Sequence, residues 1–208
     1  MSRSSLARSP SPSAFVTLSG VTAGTPDGRT LFENLDLSLA RERTGIVGRN
    51  GTGKSTLLDL IAGDRAPAEG HIARTGTTAR LRQNAGAVPG QTVAAALGVE
   101  AAFARLGRIV AGEGTADDLA EADWTLEARL AGALAAVGLD GLSLDREATT
   151  LSGGERTRLE LAALDMSGAD LILLDEPTNH LDVEGRLQVA ERLSRWPGGA
   201  VVVSHDRA

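Results

Sequence analysis

The chain has 208 residues, is 42% hydrophobic, and contains no cysteine, so disulfides and thiolate metal sites are excluded while a substantial core is affordable. Its formal charge of −6 argues against a generally basic nucleic-acid-binding surface, and aromatics make up only 2%, leaving Leu, Val, Ile and Ala to fill the interior. The three histidines, His71, His180 and His205, lie far apart without ligand spacing, which speaks against zinc.

Residues 1–13 are rich in Ser, Pro and Arg and hold no apolar run suited to a secretory signal, so a disordered tail is expected there, with the folded domain over 14–208. From Phe15 to Ala40 the pattern is strand-like, with a turn at Pro26-Asp27-Gly28 and Leu35, Leu37 and Leu39 alternating with polar residues. Thr44 to Val47 reads as a buried strand and Thr56 to Ala62 as a helix stopped by Gly63. Between them stands Gly48-Arg49-Asn50-Gly51-Thr52-Gly53-Lys54-Ser55, a full match to the phosphate-loop pattern G-x-x-x-x-G-K-[ST] (Walker A). Lys54 is the only lysine, and the remaining basic residues are all arginine. A compact ammonium on a thin stem fits between phosphates as a point charge, and glycine backbone can turn its N–H groups toward an anion at a helix start. The wider arginine, alanine and glycine bias reads as base-composition drift.

Residues 71–83 read as short strands broken at Gly76. After Pro89-Gly90, residues 91 to about 139 turn helical, with segments such as Leu119 to Ala122 and Leu126 to Leu130. Leu151-Ser152-Gly153-Gly154-Glu155 opens a helix over Arg156 to Met166. Ser152 and Glu155 suit a capping box, but two glycines in a first turn cost roughly 1 kcal/mol each relative to alanine, so a second anion site is the functional reading. Leu171 to Leu174 and Ala200 to Val203 are continuous apolar runs flanking a helix from Val183 to Arg195, the pattern of a parallel crossover. The first run delivers Asp175 and Glu176 to its carboxyl end, where Asp175 suits a Mg²⁺ shell and Glu176 suits polarising an attacking water. No stretch reaches the length of a membrane span, and there is no internal repeat.

In this order, the phosphate loop, Gln83, Leu151 to Glu155, Leu171 to Pro177, Leu181-Asp182 and Ser204-His205-Asp206 resemble an ATP-binding cassette (ABC) ATPase. The resemblance covers nearly all of residues 14–208. It implies an α/β P-loop NTPase fold, with a mixed β-subdomain, a parallel-sheet core and an inserted helical subdomain at about 86–150. It also implies ATP and Mg²⁺ as ligands: Gly48 to Ser55 and Thr56 hold the phosphates, and Ser55, Gln83 and Asp175 serve the metal. Glu176, Gln83 and His205 are then catalytic. Ser152, Gly153 and Gly154 reach the γ-phosphate of a second cassette in a head-to-tail pair, and Asp182 links the two sites.

Arg156 to Ala162 and Glu176-Pro177-Thr178-Asn179-His180-Leu181-Asp182 are similar to the F-type members, as is Asp123-Trp124, with Trp124 as a core residue the alternative. F-type proteins are soluble, and many act on the ribosome as translation factors or antibiotic-resistance proteins, so a cytoplasmic ATPase is expected. The partner is then a second cassette, in a homodimer or from another chain, with the ribosome beyond it. Two alternatives stay open: the nucleotide-binding subunit of a membrane transporter, and a truncated ATP-binding fragment with little turnover. F-type proteins normally carry two cassettes, whereas this chain carries one and stops at Ala208. Thr25 also stands near the place where many cassettes put an aromatic ring against adenine, and Phe15 is too early in the chain to replace it.

Overall fold

The computed structural model describes residues 14–81, 88–177 and 183–204, which divide into two compact units. The first lies within Met1–Gln83 and Ala169–Ala208, the second within Asn84–Gly168.

Two sheets build the first unit. β1 (Val16–Gly24), β2 (Thr30–Leu39) and β4 (Glu69–Arg74) form an antiparallel sheet in the order β2-β1-β4. Alternation on β1, reset by a register shift between Leu18 and Val21, puts Val16, Leu18, Val21 and Ala23 in the core. β3 (Arg43–Val47), β5 (Thr78–Leu81), β6 (Leu171–Asp175) and β7 (Gly199–Ser204) form a parallel sheet in the order β3-β7-β6-β5. Helix α7 (Val183–Arg195) connects β6 to β7. All five residues of β6 are buried, as a strand covered on both faces requires.

Helix α1 (Lys54–Ala62) contributes Leu58, Leu60 and Ile61, all without solvent exposure, to one cluster with β1, β6 and β7. It ends where Gly63, at φ 90°, donates its N–H to the Asp59 carbonyl. The break at Gly76 is a change of sheet: β4 belongs to the antiparallel sheet and β5 to the parallel one. A Cβ on Gly76 would lie 2.9 Å from Phe15 Cδ1 and 3.1 Å from Asp170 Cβ, so the crossing is too tight for a side chain. Asp170 fixes the far side of this crossing by accepting from the Thr77 N–H and hydroxyl, each at 2.9 Å.

The second unit is helical: α2 (Val93–Ala96), α3 (Glu100–Val110), α4 (Ala116–Ala120), α5 (Leu126–Ala135) and α6 (Gly153–Ser167), with a 3-10 turn at Ala148–Thr150. Leu126, Leu130 and Leu134 on α5 and Leu159, Ala162 and Met166 on α6 are buried at helical spacing, and the two helices pack together. The segment at Leu119 to Ala122 is helical only to Ala120. Its buried Asp118 closes a capping box with Thr115 and receives Arg108, whose hydrogen bond leads the causes holding its carboxyl down at about 2. Trp124 is 64% exposed and is not a core residue. The neighbouring Asp123 instead binds the Thr125 N–H and hydroxyl and pairs with Arg129.

Candidate nucleotide site

Beyond the carboxyl end of β3 the chain turns through the glycine-rich loop into α1. Gly51 (φ 78°) and Gly53 (φ 95°) take left-handed backbone, which only glycine enters freely. A Cβ on Gly53 would also press to 3.1 Å from Leu31 Cβ. The Thr52 hydroxyl donates to the Arg49 carbonyl at 2.9 Å, inside the turn. Lys54 is the first residue of α1. Its ammonium folds over the loop and donates to the carbonyls of Gly48 at 2.7 Å and Arg49 at 3.2 Å.

This loop forms one wall of a cavity of about 570 Å³. Asn50, Gly51, Gly53, Lys54, Ser55 and Thr56 line it from the loop and α1, Thr25 from the β1–β2 turn, Leu31 from the start of β2, and Asp175 and Glu176 from the end of β6. Ligand clefts in open parallel sheets occur at this strand end. Asp175 is only 8% exposed, and among the described residues its ion-pair partner is Arg80 on β5, whose Nη2 is 3.4 Å from Oδ2. Glu176 takes φ 49°, one of two non-glycine residues with positive φ among those described, and donates its N–H to the Val203 carbonyl at 3.0 Å. Backbone strain of this kind is concentrated where function demands a fixed side-chain direction.

A serine hydroxyl and a carboxylate lining one cavity are hard oxygen donors that suit Mg²⁺, which takes one or two protein ligands and completes its shell with phosphates and water. Among the described residues no group of three or more His, Asp or Glu side chains could cage a metal by itself. Among the described residues no aromatic ring lines the cavity. Thr25 is held by Arg29, whose carbonyl accepts from the Thr25 hydroxyl at 3.1 Å, and Phe15 packs instead against the core cluster. Leu31, which belongs to no motif and reaches the cavity only through the fold, supplies apolar surface.

Ser152, Gly153 and Gly154 belong to the second unit and do not line this cavity. Ser152 is the N-cap of α6. Its hydroxyl accepts from the Glu155 N–H at 3.3 Å, while Glu155 Oε2 accepts from the Ser152 N–H at 2.8 Å and hydroxyl at 2.7 Å. These bonds hold the Glu155 carboxyl below its usual range. Gly153 and Gly154 both lie inside the helix and are exposed, and a Cβ on either would meet open space. Among the described residues, nothing sterically requires glycine at either position. Gln83, Asp182 and His205 lie outside the described residues.

Residues 32–179 match the family model described as "ABC transporter". The chain belongs to the ABC transporter family. Tylosin resistance ATP-binding protein TlrC of Streptomyces fradiae is 38% identical over 95% of this chain and 40% of its own length. Energy-dependent translational throttle protein EttA of Mycobacterium tuberculosis is 37% identical over 87% of this chain and 30% of its own. The chain thus spans well under half of the curated relatives it matches, and these relatives are consistent with an F-type cassette. A solved ATP-binding cassette of an ABC transporter, in its ADP conformation, superposes with a TM-score of 0.67 at 20% identity, covering 94% of this chain and 82% of that one, and shares the fold.

Proposed function

We propose that this chain is an F-type cassette that binds MgATP at Gly48 to Thr56, hydrolyses it within a pair of cassettes, and couples closure of the pair to the ribosome. The observation that carries the reading is the meeting, in one cavity, of the single lysine, the Ser55 hydroxyl and the two acids ending β6. Lys54 would lie against the β- and γ-phosphates, and the loop N–H groups would donate to the remaining phosphate oxygens at the positive end of α1. Ser55 and Asp175 would hold Mg²⁺, with Gln83 completing its surroundings; the metal supplies neutralisation of charge on the phosphate oxygens. Glu176 would orient the attacking water, and His205 would steady the γ-phosphate. In phosphoryl transfer this positioning and electrostatic support is most of catalysis.

The first turn of α6 supports the pair. Gly153 and Gly154 stand exposed at a helix start where no described residue makes glycine necessary, which suits close approach by the nucleotide of a second cassette to their N–H groups and the Ser152 hydroxyl. Asp182 would connect the two composite sites.

Coupling to translation draws its support from the F-type motifs and from relatives named for translational throttling and tylosin resistance. Among the described residues no helix is long and apolar enough to cross a membrane, so a membrane partner would have to be a separate segment or chain. Cytoplasmic residence belongs to the same reading. The test is co-sedimentation: Glu176→Gln protein with ATP should pellet with ribosomes more than nucleotide-free protein. Equal recovery in both states would remove the coupling, and recovery only with membranes would favour a transporter subunit.

A further inference from the structure

Beneath the cavity, one guanidinium joins the helix that follows the phosphate loop to the carboxylate at the end of β6. Arg80 lies on β5 opposite Leu173, and residues alternate across a strand, so Asp175 is the next position along β6 on the same face. Its Nη2 reaches Asp175 Oδ2 at 3.4 Å. Its Nη1 binds Asp59 Oδ1 on α1, with Asp64 Oδ2 at 3.5 Å just beyond the helix. The arginine side chain is 12% exposed, and its buried Nε has no hydrogen-bond partner among the described residues. Leaving a buried donor unsatisfied costs free energy, so the fork is held by what its two outer nitrogens grip.

We propose that Arg80 is a positioning residue for the Mg²⁺ site, a bridge whose two outer nitrogens hold Asp175 in a fixed orientation relative to α1. The inference rests on the MgATP reading above. α1 carries Lys54 and Ser55 at its start, and Asp175 approaches from the neighbouring strand. The metal-facing hydroxyl and carboxylate therefore sit on different elements, and Arg80 spans them. Carboxylates that serve a metal depend on such outer partners, whose loss typically weakens metal affinity about 10- to 100-fold. A planar fork can satisfy two acids at once through separate nitrogens, whereas a lysine ammonium on this strand would choose one.

The experiment measures binding of a fluorescently labelled ATP to the full chain in EDTA and across a Mg²⁺ titration. The readout is the Mg²⁺-dependent gain in affinity, which a merely structural role would not move selectively. Arg80→Gln and Arg80→Lys should both keep the metal-free affinity of the wild type and lose about tenfold of the Mg²⁺ gain. A wild-type gain in Arg80→Lys would show that charge alone suffices and would overturn the bridge, as would a wild-type gain in Arg80→Gln. Asp59→Asn removes the anchor on α1 from a half-exposed position and should also reduce the gain. Should both Arg80 variants fail to fold, Asp59→Asn decides, and an undiminished gain there overturns the proposal. A wild-type chain that binds no labelled ATP would instead overturn the nucleotide reading, and this inference with it.

Discussion

Replacing Gly153 by alanine separates what α6 needs from what a facing cassette needs. Gly153 is the first residue of the helix, its φ is not positive, and a Cβ there would meet nothing within 4 Å. The substitution therefore removes backbone freedom from the unfolded chain without adding strain to the fold. The gain should be about 1 kcal/mol from helix propensity, or less at this terminal position. For a chain of this size that corresponds to roughly 2–4 °C in melting temperature, followed by helical circular dichroism in the absence of nucleotide. ATP hydrolysis should fall in the same variant, because in the proposed pair the added methyl would stand between the α6 N–H groups and the approaching γ-phosphate, where donor geometry matters most. Nucleotide binding by the isolated chain should be unchanged, since this residue is not on the cavity wall. A more stable variant with undiminished, concentration-dependent hydrolysis would refute the assignment of these glycines to a partner's nucleotide. A less stable variant would show instead that the fold itself requires glycine here.

Lys54→Ala should abolish nucleotide binding, whereas Glu176→Gln should bind normally and stop turning over; a wild-type rate in the latter would remove Glu176 as the residue that positions water. ATP and GTP should bind with similar affinity, because Thr25 and Leu31 present no ring for a base to stack on, and a large preference measured in competition would point to a further group. On α6, burial pushes Glu160 up to about 7, with Arg156 pulling the other way. The fold thus favours its protonated form, and that contribution is complete below the ordinary glutamate range and lost as pH rises through 7. Glu160→Gln should therefore melt higher than the wild type at pH 8, with the difference shrinking toward pH 5. A pH-independent difference would refute the shift.

The parts of this fold legible in the sequence are those whose signal is local. The apolar run at Leu171 to Leu174 announces a strand covered on both faces, and Gly63 ends α1 through its own left-handed backbone. The phosphate loop is equally local, since eight consecutive residues carry it. What lies between strands is not local. Strand periodicity over 71–83 looks the same whichever sheet receives it, and the change of sheet at Gly76 depends on Phe15 and Asp170, distant in sequence. The role of Arg80 is not local either, because its three acids are contributed by α1, the turn after it and β6. Trp124 shows the opposite limit: its type suits a core, yet the polar bonds of Asp123 shape the turn around it and leave the ring outside.

The imbalance between one lysine and many arginines also has a structural side that base composition does not supply. Arg43 donates Nε to the Leu193 carbonyl at 2.8 Å, Nη1 to Gly198 at 2.7 Å and Nη2 to Trp196, closing the carboxyl end of α7 with one side chain. Arg74 does the same for α1 through the carbonyls of Ile61, at 3.1 Å, and Leu60. Arg129 ties the Asp123 turn to the Met166 carbonyl near the end of α6. Each position asks for several donors spread over a plane, and each places a positive charge at the negative end of a helix. An ammonium could meet one or two of these carbonyls but not the set. The phosphate loop asks for the reverse: a single charge on a narrow stem, able to leave the carbonyls of Gly48 and Arg49 for phosphate oxygens. The one position that departs from arginine is thus the one where a fixed planar fork would be the wrong shape.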